Sequence, residues 1–374
     1  MKEINTVGII GFGVMGAAIG MNAATAGYDV IFKEASEDLV KSMYDKWVTK
    51  ALEKRVAAGK MTADDMNSIA GRIKGTDKYD DLQSCDLIIE AAVENLELKQ
   101  GIFKTLSDTC PEDTILVTNT STFLIKTVMA QVANQSRTAG LHYFFPANVN
   151  RLVEIIRQEK TNDETVAAIR QFTEKNRKTA ISVKDFPGFA INPIFISSYM
   201  VLTSFYGDYN AATLDDISKE ALGVKFGIMW VLNFSGMGTA YHAAESMNQY
   251  LKDTDVGFPE VPKPLENCFK NNEKWDLENG PVSMDSTSRQ LVIDRLLGTI
   301  FTVATHLVEK DVVSVKDLDT GVCLSLAWPE GPFTLMNKLG MEKTRRLITQ
   351  ACDSDQLHMP ARFADSTPAP WDIG

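Results

Sequence analysis

The stretch GIIGFGVMGAAIG, residues 8–20, combines several closely spaced glycines with almost no polar side chain. Residues 4–10 have the continuous apolar character of a buried parallel strand, and the small and apolar residues from Val14 onward recur at helical spacing. Gly27 is expected to end that helix, and YDVIFKE, residues 28–34, predicts a second strand. The chain is therefore expected to begin with a strand–helix–strand unit of about 30 residues.

The glycines of this stretch form the pattern GxGxxG with Gly11, Gly13 and Gly16. Between a strand and a helix this pattern predicts a dinucleotide site, since Gly11 permits a tight turn, Gly13 lets a pyrophosphate approach the backbone and Gly16 lets helix and strand pack closely. The amides at the helix start, including those of Val14 and Met15, would hold the diphosphate without any lysine or arginine.

Glu34 ends the predicted second strand, about 20 residues after the glycines, where dinucleotide-binding units carry an acidic residue. Its carboxylate is expected to accept hydrogen bonds from the adenosine ribose and to repel a 2′-phosphate. The sequence therefore predicts NAD as the cofactor in preference to NADP. Lys33 beside it weakens that repulsion slightly.

The rest of the first half alternates helical and strand patterns. The long charged stretch of residues 40–73 predicts helices broken at Gly59, and apolar runs predict further strands. These runs are CDLIIEAAV, TILVTNTS, TAGLHYF and RLVEIIR. Such alternation predicts an α/β Rossmann domain with a doubly wound parallel sheet.

The composition excludes several classes of function. A net charge of -11 and a pI near 5.0 argue against a nucleic-acid or membrane-surface binder, because no excess of basic residues exists to neutralise phosphates. The five cysteines are scattered and form no CxxC pair, so we expect reduced thiols and no metal. No signal-like start or long apolar run is present, which predicts a cytoplasmic protein.

The segment LHYFFPANVNRLVEII, residues 141–156, carries the most suggestive pair of polar residues. His142 closes one predicted strand, and Glu154 lies on the next one, twelve residues later. The intervening turn can bring both strand ends together, so a hydrogen bond between these side chains is geometrically reasonable. Such a pair suits oxidation of an alcohol, with His142 as the base and the carboxylate orienting it. A purely structural histidine is the alternative that spacing alone leaves open.

At this point the sequence resembles the L-3-hydroxyacyl-CoA dehydrogenase family. The resemblance covers nearly the whole first half, with several motifs in the family's order. They are GIIGFGVMGAAIG, GRIKGTDKYDDLQSCDLIIEAAVENLELKQGIFKTL, LVTNTST, GLHYFFPANVNRLVEII and DFPGFAINPIFISSYM. The resemblance implies an NAD-dependent enzyme in which His142 is the catalytic base and Glu154 its partner.

The resemblance also implies roles for five other residues. Ser121 and Asn192 would contact the substrate hydroxyl or the thioester carbonyl, and Glu94, Lys99 and Asn119 would lie beside the cofactor. Without the family, Ser121 would be a strand-end cap and Asn192 a helix cap, and the charged pair would be a solvated helix face.

Two departures from the family lie beside this expected active site. Phe145 stands where the family usually has asparagine, and Pro193 stands where an arginine usually follows the asparagine. We therefore expect the same chemistry on an atypical acyl group. The phosphates of CoA need local cations in this acidic chain, and Lys54, Arg55 and Lys60 on the helical insertion are the candidates.

The second half repeats itself. One alignment places Asp216-Ile217 over Asp317-Leu318 and Gly236 over Gly340, with a three-residue insertion. Residues 253–288 between the copies are rich in Pro, Asn, Asp and Gly and predict an irregular connection, and residues 359–374 predict a surface tail. The expected domains are a Rossmann domain of residues 1–187 and two related helical domains of residues 188–285 and 286–374.

The expected reaction is reversible oxidation of a 3-hydroxyacyl-CoA to the 3-oxoacyl-CoA. A related dehydrogenase of a free hydroxy acid or sugar acid would share His142 and Glu154 but need no cations for CoA. A non-catalytic NAD-binding structural protein is a third possibility. The two helical copies are expected to pair within one chain, with a homodimer as the alternative.

Overall fold

The computed structural model describes residues 2–374, and the chain divides after Asp185 into two compact units. The first unit contains one eight-stranded sheet in the order β3-β2-β1-β4-β5-β6-β7-β8. The strands are β1 Thr6–Ile10, β2 Asp29–Lys33, β3 Ile73–Thr76, β4 Leu87–Glu90, β5 Ile115–Thr118, β6 Thr138–Tyr143, β7 Leu152–Arg157 and β8 Thr179–Lys184.

The strand order confirms the predicted doubly wound fold. Neighbouring strands are parallel except for β6 and β7, which are antiparallel. The order reverses between β1 and β4, and in open α/β sheets a ligand crevice forms at such a reversal, beyond the carboxyl ends of the strands. The central strands are mostly apolar because both faces are covered, as the fully buried Ile88 and Ile89 of β4 show.

Seven helices of the first unit cover this sheet. They are α1 Val14–Thr25, α2 Glu37–Tyr44, α3 Lys50–Ala57, α4 Ala63–Gly71, α5 Leu96–Thr109, α6 Ile125–Val128 and α7 Asp163–Lys175. A π-helical turn, Asp45–Thr49, joins α2 to α3. The predicted break at Gly59 is present, with a positive φ of 66°, and a capping box of Thr62 and Asp65 begins α4.

The second unit is helical. Its helices are α8 Ile191–Ser204, α9 Ala211–Leu222, α10 Ile228–Ser235, α11 Met237–Leu251, α12 Lys263–Lys270, α13 Ser286–Glu309, α14 Val315–Ser325, α15 Pro332–Leu339, α16 Met341–Ser354 and α17 Ala361–Ala364. Among the described residues, α13 alone is long and apolar enough to cross a membrane, but 78% of its apolar window is buried within the protein. It is therefore a core helix.

Matching hydrogen bonds in the two predicted helical copies correct the sequence alignment. Asp215 of α9 accepts a hydrogen bond from the Trp230 amide at the start of α10, and Asp319 of α14 accepts one from the Thr334 amide at the start of α15. Asp215 and Asp319 are as far apart in the sequence as Gly236 and Gly340, and so are Trp230 and Thr334. The counterpart of Asp319 is therefore Asp215, and these hydrogen bonds do not fit the predicted alignment of Asp216 with Asp317 or its three-residue insertion.

Contacts between the copies run through the long helix of the second one. Helix α13 packs against α8 and α9 of the first copy as well as α16 of its own. An antiparallel β-bridge joins Gly257 to Leu357, the chain that follows α11 to the chain that follows α16. Residues 186–374 thus share one core.

Two predictions about irregular segments need correction. Residues 253–288 are not uniformly irregular, because Pro264 lies in the first turn of α12, where its missing amide donor costs nothing. The C-terminal segment forms the short helix α17 and then lays Trp371, only 8% exposed, into the unit. Their lack of apolar periodicity concealed both features.

Each copy closes with a matching clasp between an asparagine and a tryptophan backbone. The amide of Asn233 exchanges two hydrogen bonds with the backbone of Trp275, at 2.9 and 2.8 Å, and Asn337 does the same with Trp371. The copies differ at the indole, since Trp371 Nε1 donates to Met336 Sδ at 3.2 Å. The buried Trp275 Nε1 has no partner among the described residues.

This difference predicts the effect of one substitution. Leu232 of α10 holds the position of Met336, so Leu232→Met offers an acceptor to Trp275 Nε1 and should raise the free energy of unfolding by about 0.5 kcal/mol. Chemical denaturation, monitored by circular dichroism, measures this change in the free energy of unfolding. The matched variant Met336→Leu should lower that free energy by a similar amount, and a shift of both variants in the same direction would contradict this account.

Candidate active site

The glycine-rich turn after β1 shows why each glycine is needed. Gly11 has a φ of 83°, and a Cβ there would lie 2.9 Å from the backbone of Ala91 and Ala92. A Cβ on Gly16 would collide with the carbonyl oxygen of Gly11. A Cβ on Gly13 would meet nothing within 4 Å, so only Gly13 faces open space. This is the geometry that a pyrophosphate approaching the backbone requires.

The start of α1 offers its amide groups in the same place. Gly13 is the N-cap residue, no side chain caps the helix, and its first turn has no acidic residue. Val14 in that turn is 53% exposed. The amides of Val14 and Met15, together with the helix dipole, therefore suit a bound anion.

Glu34 follows β2 directly and supports this turn. Its Oε1 accepts a hydrogen bond from the Phe12 amide at 2.6 Å. Within residues 2–374 its Oε2 has no hydrogen-bond partner, so this oxygen is available to a ribose. Lys33 forms no ion pair with this carboxylate within the described residues, and its ammonium lies 4.3 Å above the Tyr79 ring and donates to the Glu34 carbonyl.

A buried charge network joins the ends of β4 and β5. Glu90, fully buried, accepts hydrogen bonds from Lys99 Nζ at 2.7 Å and from Thr118 Oγ1 at 2.6 Å. Lys99 also lies 3.2 Å from Glu94, whose other oxygen accepts from the Thr120 hydroxyl. Glu90, Thr118 and Thr120 were missed by sequence reasoning, although Glu90 ends an otherwise apolar strand and a charge there is a visible signal.

This network also supports the loop after β5. Glu94 Oε1 lies 3.3 Å from the amide nitrogen of Ser121, which donates to it. Asn119 accepts from the Tyr143 amide at 2.9 Å, so it ties this loop to the end of β6. Glu94, Lys99, Asn119 and Ser121 thus belong to one connected group. Asn192, in contrast, lies in the first turn of α8 in the second unit.

The predicted pair between His142 and Glu154 is present. Antiparallel pairing of β6 with β7 puts the two residues directly opposite each other, and His142 Nδ1 lies 2.6 Å from Glu154 Oε2. His142 is 4% exposed and Glu154 is fully buried. The Phe144 ring, 4.6 Å from the imidazole, covers part of it. Burial raises the pKa of the neighbouring Tyr143, so its phenol stays protonated and is no competing base.

A cleft of about 240 Å³ runs along α1. Its walls are α1, the helical insertion and the loop after β6. The lining residues are Val14, Ala17, Ala18, Met21, Asn22, Thr25, Trp47, Ala51, Arg55, Phe145, Pro146, Ala147 and Asn148. Of the three predicted cations, Arg55 lines the cleft, whereas Lys54 and Lys60 are exposed residues outside its lining. Trp47, which sequence reasoning missed, lies in the π-helical turn and also lines the cleft.

Comparisons with known proteins identify the family of both units. Residues 6–186 match the NAD-binding domain of 3-hydroxyacyl-CoA dehydrogenase, and residues 291–370 match its C-terminal domain. A probable 3-hydroxyacyl-CoA dehydrogenase of Caenorhabditis elegans is 33% identical over 64% of this chain and 82% of its own length. The fatty acid oxidation complex subunit alpha of Psychrobacter arcticus is 33% identical over 91% of this chain, which spans only 52% of that longer protein.

The fold has a close structural counterpart. The crystal structure of 3-hydroxybutyryl-CoA dehydrogenase from Escherichia coli K12 superposes with a TM-score of 0.79, over 93% of this chain and 94% of that one, at 23% identity. This likeness extends through both units. The two matched domains and the 33% identical relative establish that the chain belongs to the 3-hydroxyacyl-CoA dehydrogenase family and is an NAD-dependent oxidoreductase.

Proposed function

We propose that this protein catalyses the reversible oxidation of a 3-hydroxyacyl-CoA to the 3-oxoacyl-CoA. The observation that carries the proposal is the buried hydrogen bond between His142 and Glu154, at the carboxyl end of β6 in the unit that holds the glycine-rich turn. NAD, when bound, supplies the nicotinamide that accepts the hydride from the hydroxyl-bearing carbon. The chain itself has to bind the substrate and move one proton.

His142 is suited to move that proton. An ionised Glu154 only accepts hydrogen bonds, so the ring proton of a neutral imidazole lies on Nδ1 and Nε2 carries the lone pair. As the alcohol is oxidised, its hydroxyl proton passes to Nε2, and the carboxylate stabilises the resulting imidazolium. In the reductive direction the imidazolium returns the proton to the carbonyl oxygen. Ser121 and Asn192 are proposed to hold the hydroxyl or the thioester carbonyl.

The cleft along α1 supports an acyl-CoA as the substrate. Its lining is mainly apolar, which suits the pantetheine chain, and Arg55 supplies a cation for phosphate in a protein of net charge -11. Lys54 and Lys60 on the same insertion would add to the attraction. Phe145, 53% exposed, lines the cleft at the position where the family usually has asparagine, and we propose that it selects an atypical acyl group.

NADH absorbance tests the reaction and the base together. Short, long and cyclic 3-oxoacyl-CoA substrates are compared, with the free acids as controls, and turnover is expected only with thioesters. His142→Gln should lower turnover by roughly two to four powers of ten with nearly unchanged NAD affinity, because general-base catalysis supplies about that much. Glu154→Gln should be less severe. Equal turnover in wild type and His142→Gln would remove His142 from the mechanism.

Cofactor preference is tested at Glu34. A 2′-phosphate would bring additional negative charge beside this carboxylate, so wild type should bind NADH more tightly than NADPH. Glu34→Ala removes the repulsion and should narrow the preference, as measured by the ratio of the two dissociation constants. Because Glu34 also holds the Phe12 amide, Glu34→Gln is the matched variant that keeps an acceptor there without the charge. Tighter binding of NADPH by wild type would defeat this interpretation.

We also propose that the two helical copies pair within one chain and that the protein works in the cytoplasm. Packing of α13 on α8 and α9 supports the pairing, and five free thiols suit a reducing compartment. Linkage in one chain makes the pairing intramolecular, with an effective concentration on the order of millimolar.

Light scattering at micromolar concentration checks this pairing. The expected mass is that of one chain, 41.3 kDa, because the face that a second chain would cover is already covered. A mass twice as large that persists on dilution would show the homodimer instead.

A further inference from the structure

The loop between β6 and β7, residues 144–151, is held in place by Lys178. The Lys178 ammonium donates to the carbonyl oxygens of Ala147 and Asn150, each at 2.7 Å. Asn22 of α1 donates to the same Ala147 oxygen at 3.0 Å. Two side chains from different parts of the first unit therefore hold two carbonyl groups of this loop.

Lys178 is an unusual choice for this position. It is 9% exposed, and burial together with the nearby charge of Arg151 lowers its pKa. Within residues 2–374 no carboxylate forms an ion pair with it, so the loop carbonyls alone satisfy the ammonium. Burying a cation without a counter-charge is unfavourable, and an apolar side chain of similar length would fill the same space at no such cost. The benefit of a lysine therefore lies in the carbonyl groups that it holds.

Those carbonyls belong to one wall of the cleft. Ala147 and its neighbours Phe145 and Pro146 line the cleft opposite Trp47 and Arg55. The same loop begins just after the strand that carries the catalytic histidine. A shift of the Ala147 carbonyl would change the distance between this wall and α1.

We infer that Lys178 is a positioning residue for acyl-CoA binding. It does not touch the substrate, but it fixes the loop that forms one wall of the cleft. The inference rests on the proposed function, since it assigns this cleft to the thioester substrate. It predicts that Lys178 affects the substrate and not the cofactor, because within residues 2–374 neither the glycine-rich turn nor Glu34 forms a hydrogen bond with this loop.

Steady-state kinetics with NADH and a 3-oxoacyl-CoA test this role. Lys178→Met keeps the length and removes the donors, and it should raise the KM for the thioester about tenfold, the equivalent of a lost hydrogen bond to a charged donor. The KM for NADH and kcat should change less than about twofold. Asn22→Ala should raise the thioester KM by a smaller factor, about threefold, and Lys178→Arg, which keeps donors, should recover part of the affinity. Lys175 is an exposed lysine of α7 over the Tyr28 ring, and Lys175→Met is the control, whose kinetic constants should match those of wild type.

Hydrogen exchange separates positioning from general loss of structure. The amides of Val149 and Asn150 donate to the Pro146 carbonyl inside the loop, so they should exchange faster in Lys178→Met while the amides of β6, β7 and β8 keep their wild-type rates. Faster exchange throughout these strands, with the KM values for both substrates rising together, would show a structural role and overturn the inference. An unchanged thioester KM in an active Lys178→Met enzyme would overturn the inference about Lys178 but not the proposed function. Inactive wild-type enzyme on every thioester would reject the proposed function, and the inference with it.

Discussion

A buried carboxylate has to be met by hydrogen-bond donors, and this requirement organises the carboxyl edge of the sheet. Glu90 is met by Lys99 and Thr118 at the ends of β4 and β5. Glu154 is met by His142, which is possible because β7 runs antiparallel to β6 and presents the two residues at one register position. The reversal of strand direction between β6 and β7, which β8 shares with β7, thus brings the proposed catalytic pair together, and the neighbouring network fixes the loop on which Ser121 and Asn119 lie.

Local patterns predicted the features that depend on backbone sterics and on strand pairing nearby in sequence. The GxGxxG spacing implies close contacts at Gly11 and Gly16, and the structure has them. The twelve-residue separation of His142 and Glu154 made a hydrogen bond geometrically reasonable, because one turn suffices to bring them together. Lys178 escaped prediction for the opposite reason, since its partners lie 31 and 28 residues away and only the packed sheet brings them near. Glu90 is nine residues from Lys99 but 28 from Thr118, so only part of its network is local in sequence. A charged residue at a strand end shows that a partner exists, but not which one.

The helical unit shows a second limit of sequence comparison. When only the outline of a repeat survives, a wrong alignment can look as good as the correct one. Asp216 matches Asp317 in residue type, although it lies three residues after the position that is equivalent to Asp317. Hydrogen bonds removed the ambiguity, because Asp215 and Asp319 bond the same amide position at the start of α10 and α15. The clasps of Asn233 and Asn337 have the same register.

Both copies lie in one chain, so a substitution in one copy is not repeated in the other, as it would be in a symmetric homodimer. The surfaces of α10 and α15 differ in this way. Helix α10 continues an aromatic stack from Phe226 through Trp230 to Phe234, with ring centroids 4.3 and 5.4 Å apart, whereas the equivalent positions of α15 include an ion pair between Glu330 and Lys338. Each of the two surfaces can therefore have its own charge and shape while the shared core stays the same.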